Sequence, residues 1–294
     1  MKILVIGADG QVGGFLLKEA AGRHQAFGTS LLGLSGLPAL DITKEAEVRD
    51  CFRDLRPDYT ILTAALTHVD LCEQKPEQAE AINYHGPVHV ARACRESGSG
   101  LAFFSTDYVF DGVAGPYGEE DAPNPESVYA RTKLNAENEI REILENHLIV
   151  RTMMVFSYLP GSVNFFMQVL DRFRKGEPIA APNDQLGNPT HAVNLAAGVL
   201  ELVEGQARGV FHVAGTTWLG KADFARRIVE KLGGDPGSVR SLVTSDMKQP
   251  AKRPLQSGLK VDKANRMLRR NPLWSLDEAL DYSLAQMKEP TIPA

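Results

Sequence analysis

Tyr129 and Lys133 stand four residues apart in a stretch, 126–144, that reads as a helix, so their side chains share one face. A free tyrosine ionises near pH ~10 and exchanges protons poorly at neutral pH. An ammonium beside it favours the phenolate and lowers that value, at about 1.36 kcal/mol per pKa unit. Such a pair suits proton transfer at a substrate oxygen, but the spacing also arises by chance in helices. Thr106 adds weight to it, because Ser105-Thr106-Asp107-Tyr108 lies at the carboxyl end of an apolar run, 101–105, that reads as a buried strand. Ligands of open parallel sheets gather at that end, where the Thr106 hydroxyl would share a carbonyl oxygen with Tyr129.

A second chemical signal opens the chain. The apolar run 3–6 leads into Gly7-Ala8-Asp9-Gly10-Gln11-Val12-Gly13-Gly14 and then into a helical stretch beginning at Phe15. Glycines there permit a tight strand-to-helix turn and bring backbone N–H groups close to a phosphate at the helix N-terminus. Gly7, Gly10 and Gly13 form G-x-x-G-x-x-G, one residue longer than the G-x-G-x-x-G fingerprint of dinucleotide-binding proteins. An isolated match could be a mere turn; placement between a buried strand and a helix favours a pyrophosphate. After the second strand the chain reads Phe27-Gly28-Thr29-Ser30, without the carboxylate that selects a free ribose 2′-OH and without a nearby arginine. Thr29 and Ser30 can serve a 2′-phosphate or a hydroxyl, and the reading leans to NADPH with NADH accepted.

These residues require a particular scaffold. Strand-like runs at 2–6, 24–29, 37–41, 59–64, 101–105 and 147–151 alternate with helical stretches such as 44–55, 76–97 and 126–144, which predicts a doubly wound parallel α/β sheet of the Rossmann type. Beyond about residue 155 the texture changes to more Pro and Gly, with helices near 163–175, 194–204, 221–232 and 276–287. The expected division is a dinucleotide-binding domain over 1–155 and a smaller, mixed α/β substrate-binding lobe over 156–294, some of whose segments return to the first domain.

Bulk properties narrow the classes. The 294 residues can bury a sizeable core, and 32 basic against 37 acidic residues give a net charge of −5 with no basic, aromatic-laced run. Nucleic acid is therefore not an expected partner. No apolar stretch reaches the ~20 residues of a membrane span, and no cleavable leader is read at the start, so the expectation is a cytoplasmic protein away from membranes. Cys51, Cys72 and Cys94 lack metal-ligand spacing and read as reduced thiols. His68 reads as a pocket-edge or surface residue, Glu119-Glu120-Asp121 as a solvated loop, and Trp218 and Trp274 as packing residues; no metal site is expected.

Taken together, the glycine-rich turn, the Thr106 segment and Tyr129-x-x-x-Lys133 resemble the extended short-chain dehydrogenases/reductases. The closer resemblance is to the dTDP-4-dehydrorhamnose reductase family. It is carried by Gly10-Gln11-Val12-Gly13, Arg56-Pro57-Asp58, Ala64 through Asp70, Ser105 through Gly112, Val128-Tyr129 to Lys133, Asn183 through Thr190, and Lys252-Arg253-Pro254, in order along most of the chain. The resemblance implies NAD(P)H-dependent reduction of the C4 keto group of a nucleotide-activated 6-deoxy sugar, with Tyr129 as acid, Lys133 on the ribose hydroxyls and Thr106 on the carbonyl. It implies that Gly7 and Gly10 through Gly13 meet the pyrophosphate, Asp41 and Ile42 the adenosine, and Ala64 and Ala65 the ribose. Thr67, Val69, Asp107 and Tyr108 would line the sugar pocket, with Asn164 and Arg253 reaching the nucleotide diphosphate. Asn83 would bend its helix behind the lysine, or simply be a polar residue on an amphipathic helix.

Two departures stand out. The family's sugar-facing tryptophan after Arg151-Thr152 is replaced by Met153-Met154, leaving Met154 to pack there and the sugar's identity open. The glutamate of metal-bridged dimers is replaced by Gly14-Phe15, so a monomer or a dimer without a bridging metal is expected. Related alternatives are a reductase of another 4-keto sugar nucleotide and a non-catalytic NADP-binding regulatory subunit similar to that of methionine adenosyltransferase.

Overall fold

The computed structural model describes residues 1–288. Its centre is a six-stranded parallel sheet. In chain order the first five strands are β1 (Lys2–Ile6), β2 (Gln25–Thr29), β3 (Tyr59–Leu62), β4 (Gly100–Thr106) and β5 (His147–Thr152). A sixth strand, Gly209–His212, comes from the later part of the chain and lies on the outer side of β5. From that edge the order runs through β5, β4, β3 and β1 to β2.

The sheet forms because its strands are apolar on both faces. Alternate residues point to opposite sides. Ile3 and Val5 therefore enter one core with Leu16, Ala102, Val150, Leu195 and Val199, while Leu4 and Ile6 enter the other with Phe52, Leu62, Phe103 and Ile140. Helices α1 (Gln11–Ala21) and α2 (Glu45–Leu55) belong to opposite layers. Short α3 (Val69–Gln74) and α4 (Pro76–Glu80) precede a π-helical turn, Ala81–His85, which runs into α5 (Gly86–Ser97). Helix α6 (Val128–Ile143) begins where Ser127 accepts the Ala130 N–H at 3.2 Å, an N-terminal cap. After it come α7 (Phe165–Lys175), α8 (Ala192–Glu204) and α9 (Lys221–Lys231).

A third core, around Phe156, Phe166, Leu170, Phe224, Ile228 and Leu280, holds α7, α9 and the helix Leu276–Lys288 together. Helix α8 instead packs through Leu195, Val199 and Val203 into the core that contains α1.

Two local expectations change. The run 37–41 is not a strand: Leu34–Gly36 forms a 3₁₀ turn and only Ala39 bridges to Ser30. Pro38 has no N–H for a ladder, and Gly33 and Gly36 take left-handed φ values of 68° and 73°. The expected helix 76–97 is present but wound more loosely at its middle.

The chain passes from β1 to β2 on one side and then to β3 on the other, so the order reverses between β1 and β3. That switch point places the Gly7 turn beside Thr63 and Ala64, whose N–H donates to Ile6 O at 3.1 Å. Gly7 adopts φ 87°, and a Cβ on Gly13 would lie 2.1 Å from Gly7 O. Gly13→Ala should therefore cost about 1–3 kcal/mol by overpacking and weaken dinucleotide binding; urea unfolding and a fluorescence titration with NADPH would measure both.

Candidate active site

A cleft of about 1100 Å³ runs along the carboxyl ends of the strands. Its lining brings together Gly7, Gly10, Gln11, Val12, Gly13, Asp41, Ile42, Ala64, Ala65, Thr67, Val69, Thr106, Asp107, Tyr108, Tyr129, Lys133 and Met154. The glycine turn occupies one wall. Gly10 caps α1 without a side chain, and no acidic residue stands in the first turn. The N–H groups of Gln11, Val12 and Gly13 have no intrahelical acceptor and carry the positive end of the helix dipole, so this wall fits a pyrophosphate. Gln11 also donates its side-chain amide to Ser157 Oγ at 3.1 Å, tying the turn to the later part of the chain.

Another part of the cleft is lined by Leu31, Leu40, Asp41, Ile42 and Thr43. Asp41 Oδ1 accepts the Thr43 N–H at 3.0 Å and its hydroxyl at 2.7 Å. Thr29 and Ser30 are not among the residues lining this cleft. Both are buried; the Ser30 hydroxyl accepts the Leu34 N–H at 2.9 Å, and the Thr29 carbonyl takes the N–H groups of Gly7 and Ala8.

The middle wall depends on Asn83, a residue buried in the π-helical turn. Its Oδ1 accepts the Leu66 N–H at 2.8 Å and its Nδ2 donates to Leu66 O at 3.0 Å. Asn83 thus fixes the loop that carries Ala64, Ala65 and Thr67. Asn83 also lies within the π-helical distortion of its helix, in a segment that packs on α6, so the expected bend is present as well as the loop contact.

Tyr129 and Lys133 lie on the inward face of α6, and Thr106 ends β4 opposite them. Tyr129 shares the cleft lining with Thr106 and touches the Tyr108 ring edge-on, with centroids 6.0 Å apart. Lys133 is only 2% exposed, its Nζ 4.1 Å from the Phe103 ring centre. Removal from water lowers its pKa to about 7, against the raising effect of the Glu137 carboxylate. Burial likewise raises the Tyr129 phenol above its usual value, outweighing the lowering effect of the nearby Thr106 hydroxyl. The expectation that the ammonium lowers the Tyr129 pKa is therefore reversed: burial, which opposes any ionised form, dominates. The phenol therefore keeps its proton at neutral pH, and burial makes it a weaker acid than a free tyrosine.

Met154 lines the cleft in the turn after β5, at φ 45°. This backbone region costs a side-chain-bearing residue about 1–3 kcal/mol. Beside it Gly187 leaves room for the methionines, since a Cβ there would fall 2.1 Å from Met153 Cε and 2.9 Å from Met154 Sδ.

Two expected ligands lie elsewhere. Asn164 caps α7: its Oδ1 accepts the Met167 N–H at 3.2 Å, and its Nδ2 donates to Ser157 O and Ser162 Oγ. Arg253 is outside the cleft lining, paired with Asp70 at 2.9 Å and donating to Ala251 O. Arg253 keeps further N–H donors beyond these two contacts. His68 is exposed and accepts the Leu71 N–H at 3.0 Å, while Glu119 is not simply solvated, because it accepts the His212 N–H at 3.1 Å. Sequence reasoning missed Thr63 and Gln78 on the lining. Nothing in their local spacing distinguishes them.

With this geometry in place, the chain was compared with known proteins. The family model described as the RmlD substrate binding domain matches residues 1–288. The chain belongs to this family. The dTDP-4-dehydrorhamnose reductase of Mycobacterium tuberculosis is 35% identical over 265 residues, covering 88% of this chain and 84% of that one. The crystal structure of a dTDP-4-dehydrorhamnose reductase from Clostridium acetobutylicum superposes with a TM-score of 0.90 at 32% identity, covering 98% of this chain and 100% of that chain. A Bacillus anthracis dTDP-4-dehydrorhamnose reductase in complex with NADP gives 0.89 at 27% identity, covering 97% and 99%. Among the described residues of this family member, no helix is long and apolar enough to cross a membrane.

The lowered Lys133 pKa has a definite sign in stability. The folded protein disfavours the ammonium, so the cost is fully present below about pH 7 and shrinks as pH rises towards the unfolded value near ~10.4. Lys133→Met should therefore raise the urea midpoint more at pH 6.5 than at pH 9.5, while abolishing activity. Equal gains at both pH values would contradict a buried, perturbed lysine.

Proposed function

We propose that this protein is an NAD(P)H-dependent oxidoreductase that reduces the C4 keto group of a nucleotide-activated 6-deoxy sugar, converting dTDP-4-dehydrorhamnose to dTDP-L-rhamnose. NADPH is the coenzyme and NADH is accepted. The observation that carries the reading is the meeting of Thr106, Tyr129 and Lys133 in the same cleft as the free amides of the Gly7–Gly13 turn. The family's members named dTDP-4-dehydrorhamnose reductase, one of them in complex with NADP, support it.

Residues 1–155 hold the dinucleotide, with Gly7 and Gly10–Gly13 at its pyrophosphate, Asp41 and Ile42 at the adenosine, and Ala64, Ala65 and Lys133 at the ribose groups. A nicotinamide dinucleotide in that position supplies the hydride that reaches C4. Tyr129 gives its phenolic proton to the carbonyl oxygen as that oxygen gains charge, so hydride and proton together yield the alcohol. Thr106 hydrogen-bonds the same oxygen. The neutral state of Tyr129 favoured by burial is the one this step consumes.

The lobe from residue 156 onward covers the sugar nucleotide, while the strand Gly209–His212 and helix α8 return to the first domain. Thr67, Val69, Asp107, Tyr108 and Met154 shape the sugar end. Methionine is unbranched and polarizable, so Met154 tolerates more than one sugar outline.

Removing the proton donor tests the assignment. Tyr129→Phe should lower kcat by about 10²–10⁴-fold with NADPH binding retained, followed as NADPH consumption with dTDP-4-dehydrorhamnose. Tight NADPH binding by the unaltered protein without any consumption would overturn the substrate assignment.

A further inference from the structure

The wall of the cleft contains a hydrogen-bonded chain that starts outside it. Ser257, which does not line the cleft, is buried and donates its hydroxyl to Asp107 Oδ2 at 2.5 Å. The other oxygen of that carboxyl, Oδ1, takes the Thr106 hydroxyl at 3.1 Å. Thr106 Oγ1 in turn accepts the Tyr108 N–H at 3.1 Å, and Thr106 lines the cleft with Tyr129.

Ser257 has little freedom. Gly115 N–H donates to Gln256 O at 3.0 Å, Tyr117 N–H to Gly258 O at 2.9 Å, and Leu259 N–H to Asn188 Oδ1 at 2.9 Å. A Cβ on Gly115 would lie 1.9 Å from Ser257 O, so the two segments touch backbone to backbone.

Counting hydrogens gives this chain a consequence. A hydroxyl has one hydrogen and two lone pairs. While Asp107 is a carboxylate, it takes the single hydrogen of Thr106, whose Oγ1 accepts the Tyr108 N–H with one lone pair and keeps the other open. Thr106 then has no hydrogen for a substrate carbonyl. When Asp107 holds a proton, the Ser257 hydrogen bond to Oδ2 leaves Oδ1 as the place for it. The acid then donates to Thr106 Oγ1 and frees the Thr106 hydrogen for the carbonyl oxygen.

We propose that Ser257 is a positioning residue for the reduction, holding Asp107 so that its protonation on Oδ1 turns the Thr106 hydroxyl towards the substrate carbonyl. The inference rests on the keto-reductase reading. Burial raises the Asp107 carboxyl to about 6, against the hydrogen bonds of Ser257 and Thr106 and the positive charge of Lys221 at the start of α9. The other ionisable groups around it are the Tyr108 and Tyr129 phenols, with Arg253 and its partner Asp70 acting on Tyr108. Ser257 touches Asp107 and not Lys133, so its removal separates the two titrations.

The kcat profile from pH 5 to 9, with saturating dTDP-4-dehydrorhamnose and NADPH, reports groups in the bound complex. Wild type should show kcat rising as pH falls through a limb near that of Asp107. Ser257→Ala removes a hydrogen bond that favours the carboxylate, so the limb should move up by about one pH unit. In an Asp107→Asn background the same change should leave the profile unmoved. A uniform loss of kcat at every pH in Ser257→Ala, or a limb that stays in place, would overturn the proposal.

A substrate-free arm uses carbon-detected NMR of the aspartate carboxyls. The signal lost in Asp107→Asn should titrate higher in Ser257→Ala, and an unchanged midpoint would also overturn the proposal. Wild-type protein that consumes no NADPH with this sugar would remove the reductase assignment alone, since the carboxyl titration still decides whether Ser257 controls Asp107.

Discussion

The ion pair between Arg151 and Glu137 fixes the height at which α6, the helix carrying Tyr129 and Lys133, lies on the sheet. Arg151 Nε reaches both Glu137 oxygens at 3.1 and 3.2 Å, and Nη2 reaches Oε2 at 2.6 Å. Both side chains are almost wholly inaccessible. A buried pair of this kind gains little net stability over a well-packed apolar pair, yet losing one partner strands a charge at a cost of about 3–5 kcal/mol. The pairing therefore admits few alternative placements of α6. Lys133 lies one turn before Glu137, and Arg151 on β5 stands in register with Ser105 on β4, directly before the Thr106–Thr152 pair. One interaction thus relates Thr106, on a strand, to Tyr129 and Lys133, on a helix.

The same scarcity of water governs the ionisable groups. Burial lowers Lys133, raises Tyr129 and raises Asp107, in each case against the charged form. A reducing step asks for a proton donor that stays neutral until negative charge develops on the substrate oxygen. An ordinary phenol already meets that requirement at neutral pH; desolvation reinforces it while making the phenol a weaker acid, with the lysine acting on the tyrosine less than their spacing suggests.

Around this centre, much of the positioning is done by residues with no part in the chemistry. Asn83 holds the Ala64–Thr67 loop through Leu66, Gly187 makes room for the Met153–Met154 turn, and Gly115 lets the Ser257 segment approach. In each case the requirement is a close approach of backbone or a paired buried amide, and such demands are met by small or polar residues that look unremarkable in a sequence.

What the sequence determined by itself was local. The apolar run, the glycines and the following helix define the turn from β1 to α1, and helical periodicity places Tyr129 and Lys133 on one face. Buried strands separated by helices likewise imply a parallel, doubly wound sheet. The run 37–41 was misread because apolar character alone does not distinguish a strand from a covered connection, and the backbone of Pro38, Gly33 and Gly36 decided it. That Asn164 caps a helix and Arg253 pairs with Asp70 only the fold reveals. Tertiary structure alone decided the direction of the Tyr129 shift and the approach of Ser257 to Asp107 across 150 residues. Periodicity and turn chemistry act between neighbours in the chain, whereas desolvation and long-range hydrogen bonds arise only once distant segments have excluded water together.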